Sequence, residues 1–134
     1  MSQENVDLVQ RLYEAGLFDQ DPAGWLPELA TPDIEYVNPP YAVEAGIRRG
    51  PENVVEAMRS FSEVWRNSRH ERHELFDGGD VVVAAVSWYT LSRGSETELV
   101  QEEAHTWTIR EGRIARFEWG LNLSSALRSA GLDR

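Results

Sequence analysis

His105 is the side chain in this sequence that is best suited to acid–base chemistry at neutral pH. The unperturbed pKa of histidine is about 6.5, so both protonation states are accessible there. Glu103 lies two residues earlier. In a regular strand it shares a face with His105 and could orient the imidazole or act as a base itself. The alternatives are a buried histidine bonded to a neighbour and a solvated glutamate at a strand end.

Aromatic residues on the same and neighbouring segments could form a binding pocket around His105. Such a pocket would suit a flat, apolar ligand. Each of these residues could equally be an ordinary core residue that needs no ligand. The candidates are Tyr89, Trp107, Phe117 and Trp119.

Tyr36 and Asn38 form a second candidate pair, because they alternate onto one face of a short strand. Together they could hold a water molecule or a substrate carbonyl. Alternatively, Asn38 only satisfies backbone groups beside Pro39 and Pro40, which cannot donate hydrogen bonds.

The element that must position His105 is a long β-hairpin over residues 98–123. Its turn decides which side chains share a face. If Glu111 and Gly112 form a two-residue type I′ loop, His105 lies opposite Glu118 and Trp119 points to the other face.

A three-residue loop over residues 110–112, ending in a left-handed glycine, gives a different register. His105 then lies opposite Phe117, and Trp107 lies opposite Ala115. We favour this loop because bulky residues occupy odd-numbered positions on both strands. It places four side chains on one inner face: His105, Trp107, Phe117 and Trp119.

Helical signals dominate the first 30 residues. Ser2 can cap a first helix whose apolar stripe includes Tyr13. Asp21 and Pro22 are typical of the start of a second, short helix, which residues 31–33 (Thr-Pro-Asp) should end.

The next segments predict a short strand, a loop and a third helix. Residues 34–38 read as the strand, and residues 41–49 show no clear periodicity and are predicted to be a loop. Gly50 and Pro51 open the helix, whose apolar stripe runs as far as Trp65.

From residue 69 onward the hydrophobic period changes to two, which predicts four successive strands. Their expected ranges are 70–77, 80–93, 96–110 and 113–122, joined by turns at Gly78-Gly79, Gly94-Ser95 and Glu111-Gly112. A closing helix over about residues 123–130 follows, capped by Asn122 and ended by Gly131. Helices followed by an antiparallel meander predict an α+β fold with the helices on one face of a curved sheet.

The run from Val81 to Val86 is apolar on both faces of its strand. Its inner face should meet the helices, and its outer face should meet another subunit. We therefore expect a homodimer that forms through the outer face of the sheet.

Composition excludes several classes of function. The chain has 134 residues, no cysteine and a formal net charge of −10, so we expect one domain with no disulfide or thiolate chemistry. The negative charge argues against nucleic acid and anionic membranes as partners. No apolar run is long enough to cross a bilayer, and we expect a cytoplasmic protein. His70 and His73 should lie on opposite faces of a strand, which argues against a metal site.

The order of elements resembles the nuclear-transport-factor-2-like superfamily, above all its small SnoaL-like and ketosteroid-isomerase-related members. The resemblance rests on three helices around a short strand, then a meander carrying H-x-W-x-I-x-x-G-R-I over residues 105–114, and a last helix ending in Ala-Gly-Leu. It covers residues 1–134 as a single domain. It implies a cone-shaped, curved antiparallel sheet packed against three N-terminal helices, with a short C-terminal helix.

The known catalytic residues of these relatives are only partly matched. The general-base Asp before a Pro in ketosteroid isomerases corresponds to Asn38, which cannot take up a proton. Their oxyanion-hole Tyr and protonated acid fall near Leu12, beside Tyr13, and at His105. A histidine can donate a hydrogen bond to an oxyanion, so this part of the site could persist.

Two other branches also match only in part. The Tyr-x-Asn of the limonene-epoxide-hydrolase branch matches residues 36–38, but its acids fall near Ala85, Ser87 and Trp119. The inward Asp of SnoaL-type cyclases falls at Trp119 or Glu118, with His105 near the partner histidine.

The sequence therefore predicts a pocket for a small, largely apolar molecule. The expected chemistry is cofactor-free proton transfer, as in isomerisation, cyclisation or dehydration. The alternative is a non-catalytic ligand-binding or dimerisation module. The predicted catalytic residues are His105, Glu103, Tyr36 and Asn38, and the predicted substrate-binding residues are Tyr13, Tyr89, Trp107, Phe117 and Trp119.

Overall fold

Six strands form one sheet, to which both halves of the sequence contribute. The computed structural model describes residues 2–92 and 96–132, with the side chains of residues 2, 61–67 and 92 left aside. The helices are α1 (Ser2–Glu14), α2 (Leu26–Leu29), α3 (Pro51–Val64) and α4 (Leu123–Ser129), with 3₁₀ turns at Leu17–Asp19 and Pro22–Gly24. The strands are β1 (Ala30–Asn38), β2 (Gly46–Arg49), β3 (Trp65–Asp77), β4 (Val81–Ser92), β5 (Glu98–Arg110) and β6 (Arg113–Gly120).

The strand order is β2-β1-β6-β5-β4-β3. All neighbouring pairs are antiparallel except β1 and β6, which are parallel. The sheet is therefore mixed, whereas we expected a wholly antiparallel sheet. Helices α1 to α3 pack on one face, the inner face, and form the main core with it. Helix α4 packs on the other, outer face.

Three predicted boundaries in the first half were wrong. Strand β1 begins at Ala30, because Pro32 lies where the pairing with β6 is interrupted and its missing N–H costs no ladder bond. Residues 46–49, predicted to be a loop, form β2 against β1. Helix α3 ends at Val64, so Trp65 begins β3 and does not extend the helical stripe. The predicted turn at Gly94-Ser95 falls outside the described residues.

The turn between β5 and β6 differs from the three-residue loop that we favoured. Glu111 and Gly112 both have positive φ, 52° and 77°, as a two-residue type I′ loop requires. A bulge then makes Ala115 an extra residue, because Ile109 pairs with Ile114 while Thr108 pairs with Arg116.

The bulge sets the register of the rest of the hairpin. His105 lies opposite Trp119, and Trp107 lies opposite Phe117, so the partners predicted for His105 and Trp107 were both wrong. The shared inner face of these four side chains was nevertheless predicted correctly, because the bulge restores the phase that a plain two-residue loop would lose.

Helix α4 covers part of the outer face that we expected another subunit to cover. Asn122 caps it by accepting a hydrogen bond from the Ser125 N–H at 2.9 Å, and Gly131 follows it with a φ of 75°. Leu127 packs there against Phe76 and Val83. The apolar outer side of β4 is therefore partly explained within one chain. Within residues 2–92 and 96–132, no helix has both the length and the apolar character that a membrane span needs.

Candidate functional site

His105 stands at the centre of a buried hydrogen-bond chain on the inner face of β5. Its side chain is only 1% exposed. The Nδ1 atom lies 2.7 Å from the Tyr13 hydroxyl, and Nε2 lies 2.7 Å from Oε1 of Glu103. The indole N–H of Trp107 donates to the Tyr13 hydroxyl at 2.8 Å. Strand alternation places Glu103, His105 and Trp107 on one face, and α1 supplies Tyr13 from above.

The direction of each proton follows from the donors available. Because Trp107 already donates to the Tyr13 hydroxyl, the single hydroxyl proton can go to Nδ1 of His105. Nε2 then carries the imidazole proton and donates it to Glu103. Gln101 donates to the other oxygen of Glu103 at 2.7 Å. When His105 is neutral and Glu103 is ionised, every polar group in this hydrogen-bond chain has a partner.

The electrostatics favour the same protonation states. Burial lowers the pKa of His105 and outweighs the opposing effect of Glu103. Burial alone would raise the pKa of Glu103, but the hydrogen bonds from His105 and Gln101 bring it below its ordinary value. The site therefore holds a buried carboxylate, with a side chain 6% exposed, beside a neutral imidazole. Glu103 is not the solvated strand-end residue of the alternative reading.

His70 is a member of the site that the sequence did not indicate. Its Nδ1 lies 2.7 Å from Oδ1 of Asp19, and its backbone N–H donates to Oδ2 at 2.9 Å. Its Nε2 lies 4.0 Å from Oε1 of Glu103. His73 lies on the outer face beside Ser87, as strand alternation predicted. The alternation of side chains along β3 could have placed His70 on the inner face. No spacing in the sequence, however, indicates that His70 lies close to Glu103 and His105.

Phe18 covers this group of side chains. Gly16, with a φ of 68°, ends α1 in the left-handed conformation and leads into the 3₁₀ turn that carries Phe18 and Asp19. The ring is partly buried, and the sequence analysis missed its role. Its centroid lies 4.7 to 5.7 Å from five others, those of His70, His105, Phe117, Trp107 and Tyr13.

Tyr36, Asn38 and Trp119 form the neighbouring part of the inner face. Tyr36 is buried and stacks on Phe117 with a centroid separation of 5.5 Å. Burial raises the pKa of Tyr36, and the charge of Glu103 adds to this effect. Asn38 accepts a hydrogen bond from the Trp119 indole at 2.6 Å and donates one to the carbonyl of Glu44 at 2.8 Å. Both the oxygen and the nitrogen of its amide are therefore hydrogen-bonded. The bond to Glu44 satisfies a backbone carbonyl, which is the structural role that the sequence allowed for Asn38.

Tyr89 is the predicted binding residue that does not join the site. It lies opposite Val100 on the outer face, where the guanidinium of Arg69 stands 4.2 Å from its ring centroid. The alternation along β4 explains this position, because buried inner residues Val86 and Trp88 fix the phase of the strand. The other predicted site residues all lie on the inner face.

His70, Glu103 and His105 bring three donor atoms within 4.8 Å of one another, a spacing that one cation could bridge. The hydrogen bonds fit a different use, because Nε2 of His105 carries a proton toward Glu103 and has no lone pair to offer. A cation at this position would have to displace the hydrogen bond between His105 and Glu103.

Comparison with solved structures identifies the class of fold. An NTF2-like protein from Burkholderia pseudomallei K96243 has a TM-score of 0.75 at 22% identity, over 93% of this chain and 95% of that one. A protein described as a SnoaL-like polyketide cyclase, from Jannaschia sp. CCS1, has a TM-score of 0.76 at 19% identity, over 99% and 94%. TerC, co-crystallised with polyporic acid, has a TM-score of 0.75 at 24% identity, over 96% and 98%. The α+β fold is thus that of the NTF2-like proteins, as predicted.

The family model of the SnoaL-like domain matches residues 9–117. The chain therefore belongs to the SnoaL-like domain family, which confirms the resemblance seen in the sequence. No curated protein sequence matches it significantly. The matched residues include Tyr13, His70, Glu103 and His105.

Proposed function

We propose that this protein binds a small, largely apolar molecule on the inner face of the sheet and catalyses cofactor-free proton transfer on it. The observation that carries the proposal is the ionised carboxylate of Glu103, which is buried among aromatic rings and held by His105 and Gln101. The hydrogen bonds keep this buried carboxylate ionised at neutral pH, so it is available there to accept a proton without a metal or cofactor.

His105 serves the reaction through Glu103. Both of its ring nitrogens are already bonded, one to Tyr13 and the other to Glu103. It therefore orients the carboxylate and stabilises its charge, while Glu103 takes the substrate proton. Tyr36, stacked on Phe117, and Trp119 supply flat apolar surface beside the base.

Deuterium exchange tests this proposal without knowledge of the net reaction. Flat aromatic ketones are screened by thermal shift, and each stabilising compound is incubated with the protein in D₂O while NMR follows deuterium uptake at the carbon beside the carbonyl. We expect uptake above the uncatalysed rate with the natural chain and its loss in Glu103→Gln, with binding retained. Unchanged uptake in Glu103→Gln would contradict the role of this carboxylate.

The second candidate is a non-catalytic binding module. It is favoured by Asn38, which stands where ketosteroid isomerases carry their base and whose amide is fully engaged in hydrogen bonds. In this case the screen yields ligands that stabilise the protein, and none of them takes up deuterium faster than in buffer.

We also propose that the protein is cytoplasmic and forms a homodimer. The two subunits would pair through the part of the outer face that α4 leaves uncovered. Val100 supports this surface, since it is 55% exposed there and lies opposite Tyr89. Light scattering at micromolar concentration should give twice the mass of the chain, and Val100→Glu should reduce it to the mass of one. A monomeric natural chain would refute the dimer.

A further inference from the structure

Asp19 and His70 are joined by two hydrogen bonds, one of which involves the imidazole ring. The two oxygens of Asp19 accept from two groups of the same residue, Nδ1–H and the backbone N–H of His70. The imidazole is therefore fixed in position and in tautomer. Its side chain is 12% exposed, compared with 1% for His105, so it is the more accessible of the two inner-face histidines.

The tautomer matters because it decides what the other nitrogen can do. A carboxylate can only accept, so Nδ1 of His70 carries a proton. Nε2 is then a lone pair in the neutral ring and an N–H donor in the imidazolium. Its nearest ionisable neighbour is Oε1 of Glu103 at 4.0 Å, and Nε2 makes no hydrogen bond to any residue that the structure describes. This nitrogen is left to exchange a proton with a ligand.

We infer that His70, oriented by Asp19, is a second catalytic group that works with Glu103 and gives a proton to the carbonyl oxygen of the substrate. The inference rests on the proposed proton transfer and assigns the partner of Glu103 in it. Two proton-exchanging atoms 4.0 Å apart can reach a carbon and the carbonyl oxygen beside it, which lie on adjacent atoms of the same ketone.

The protons balance over one cycle. Glu103 removes a proton from the carbon beside the carbonyl, and the electron pair of that C–H bond moves to form the enol C=C as the carbonyl π bond shifts to oxygen. The oxygen takes a proton from Nε2 of the His70 imidazolium. After the enol leaves, the neutral carboxyl group of Glu103 gives its proton to water and Nε2 of His70 takes one from water, which restores both starting states. No oxidant, metal or cofactor takes part.

Asp19 is a positioning residue in this scheme, since it acts only through His70. Its role predicts two linked changes in Asp19→Ala, one in the tautomer of His70 and one in the rate of deuterium uptake, whereas a purely structural anchor would change only the tautomer. The ¹⁵N chemical shifts of the His70 ring should report the Nδ1–H tautomer in the natural chain and a shift toward the Nε2–H tautomer in Asp19→Ala.

The experiment uses 2-tetralone, a flat ketone with exchangeable C–H protons, with the full chain in D₂O. We expect the protein to accelerate deuterium uptake, and His70→Asn to lose about 100-fold or more of that acceleration. His73→Asn is the matched control, because this histidine lies on the outer face, and it should exchange at the natural rate. Circular dichroism confirms that each variant is folded.

The outcomes separate this inference from the proposal beneath it. If Glu103→Gln loses uptake while His70→Asn keeps it, the role of His70 is refuted and the proposed function stands. If both variants keep the natural rate, or if the natural chain does not accelerate uptake, both are overturned. Loss in both variants, with His73→Asn unaffected and the expected His70 tautomer, supports both.

Discussion

Replacing Tyr13 with phenylalanine removes one oxygen atom from the middle of the buried hydrogen-bond chain. The ring stays in place, so packing around it is nearly unchanged. Two groups lose their partner: the indole N–H of Trp107 and Nδ1 of His105, both on side chains about 1% exposed. A buried polar group without a partner costs about 1–3 kcal/mol. Taking the lower half of that range for each group, we expect a loss of about 2–4 kcal/mol in the free energy of unfolding.

Urea denaturation followed by circular dichroism measures this loss without relying on the fluorescence of Trp107. Tyr89→Phe is the matched control, because Tyr89 lies on the outer face and uses its ring against Arg69. Its cost should stay within about 0.5 kcal/mol, as for other surface substitutions. Equal costs for Tyr13→Phe and Tyr89→Phe would show that the Tyr13 hydroxyl does not hold the chain together.

Further predictions concern pH, the covering aromatic ring and the strand beside it. Folding lowers the pKa values of both His105 and Glu103, so the unfolded chain binds more protons than the folded chain as the pH falls. The free energy of unfolding should therefore decrease below about pH 6.5. In urea titrations between about pH 5 and 8, His105→Gln should make that decrease smaller. Phe18→Ala should cost about 2–3 kcal/mol and speed the reaction of His105 with diethyl pyrocarbonate, mapped by mass spectrometry; unchanged reactivity would show that Phe18 does not shield the site. Trp119→Phe should lose about 1–3 kcal/mol in thermal or urea unfolding, since Asn38 loses its donor, and a neutral effect would make that hydrogen bond dispensable.

Local regularities explain what the sequence predicted well. A side-chain period of two places Glu103, His105 and Trp107 on one face, whatever the rest of the chain does. Capping and turn residues such as Asn122 and Gly131 likewise act over a few positions and were placed correctly. The order of elements was enough to indicate the NTF2-like fold, because few folds join helices to such a meander.

The turn of the hairpin shows the limit of local reasoning. Glu111-Gly112 forms a two-residue turn, which the sequence disfavours because a plain turn of this length puts the buried side chains out of phase. The compensating bulge at Ala115 has no signature of its own in the sequence. It becomes favourable only when the inner face has to pack against helices, so tertiary packing decided the register.

By itself, the sequence determined the presence of the four strands of the meander, the face that carries His105 and the absence of the usual acidic base at position 38, since all of these depend on residue type and on neighbours a few positions away. Tertiary structure alone decided that Tyr13 meets His105 across 92 positions and that Asp19 meets His70 across 51. The physical reason is that α1 and its 3₁₀ turn pack against the sheet and so bring these side chains together. No periodicity along the chain encodes contacts between residues so far apart in the sequence.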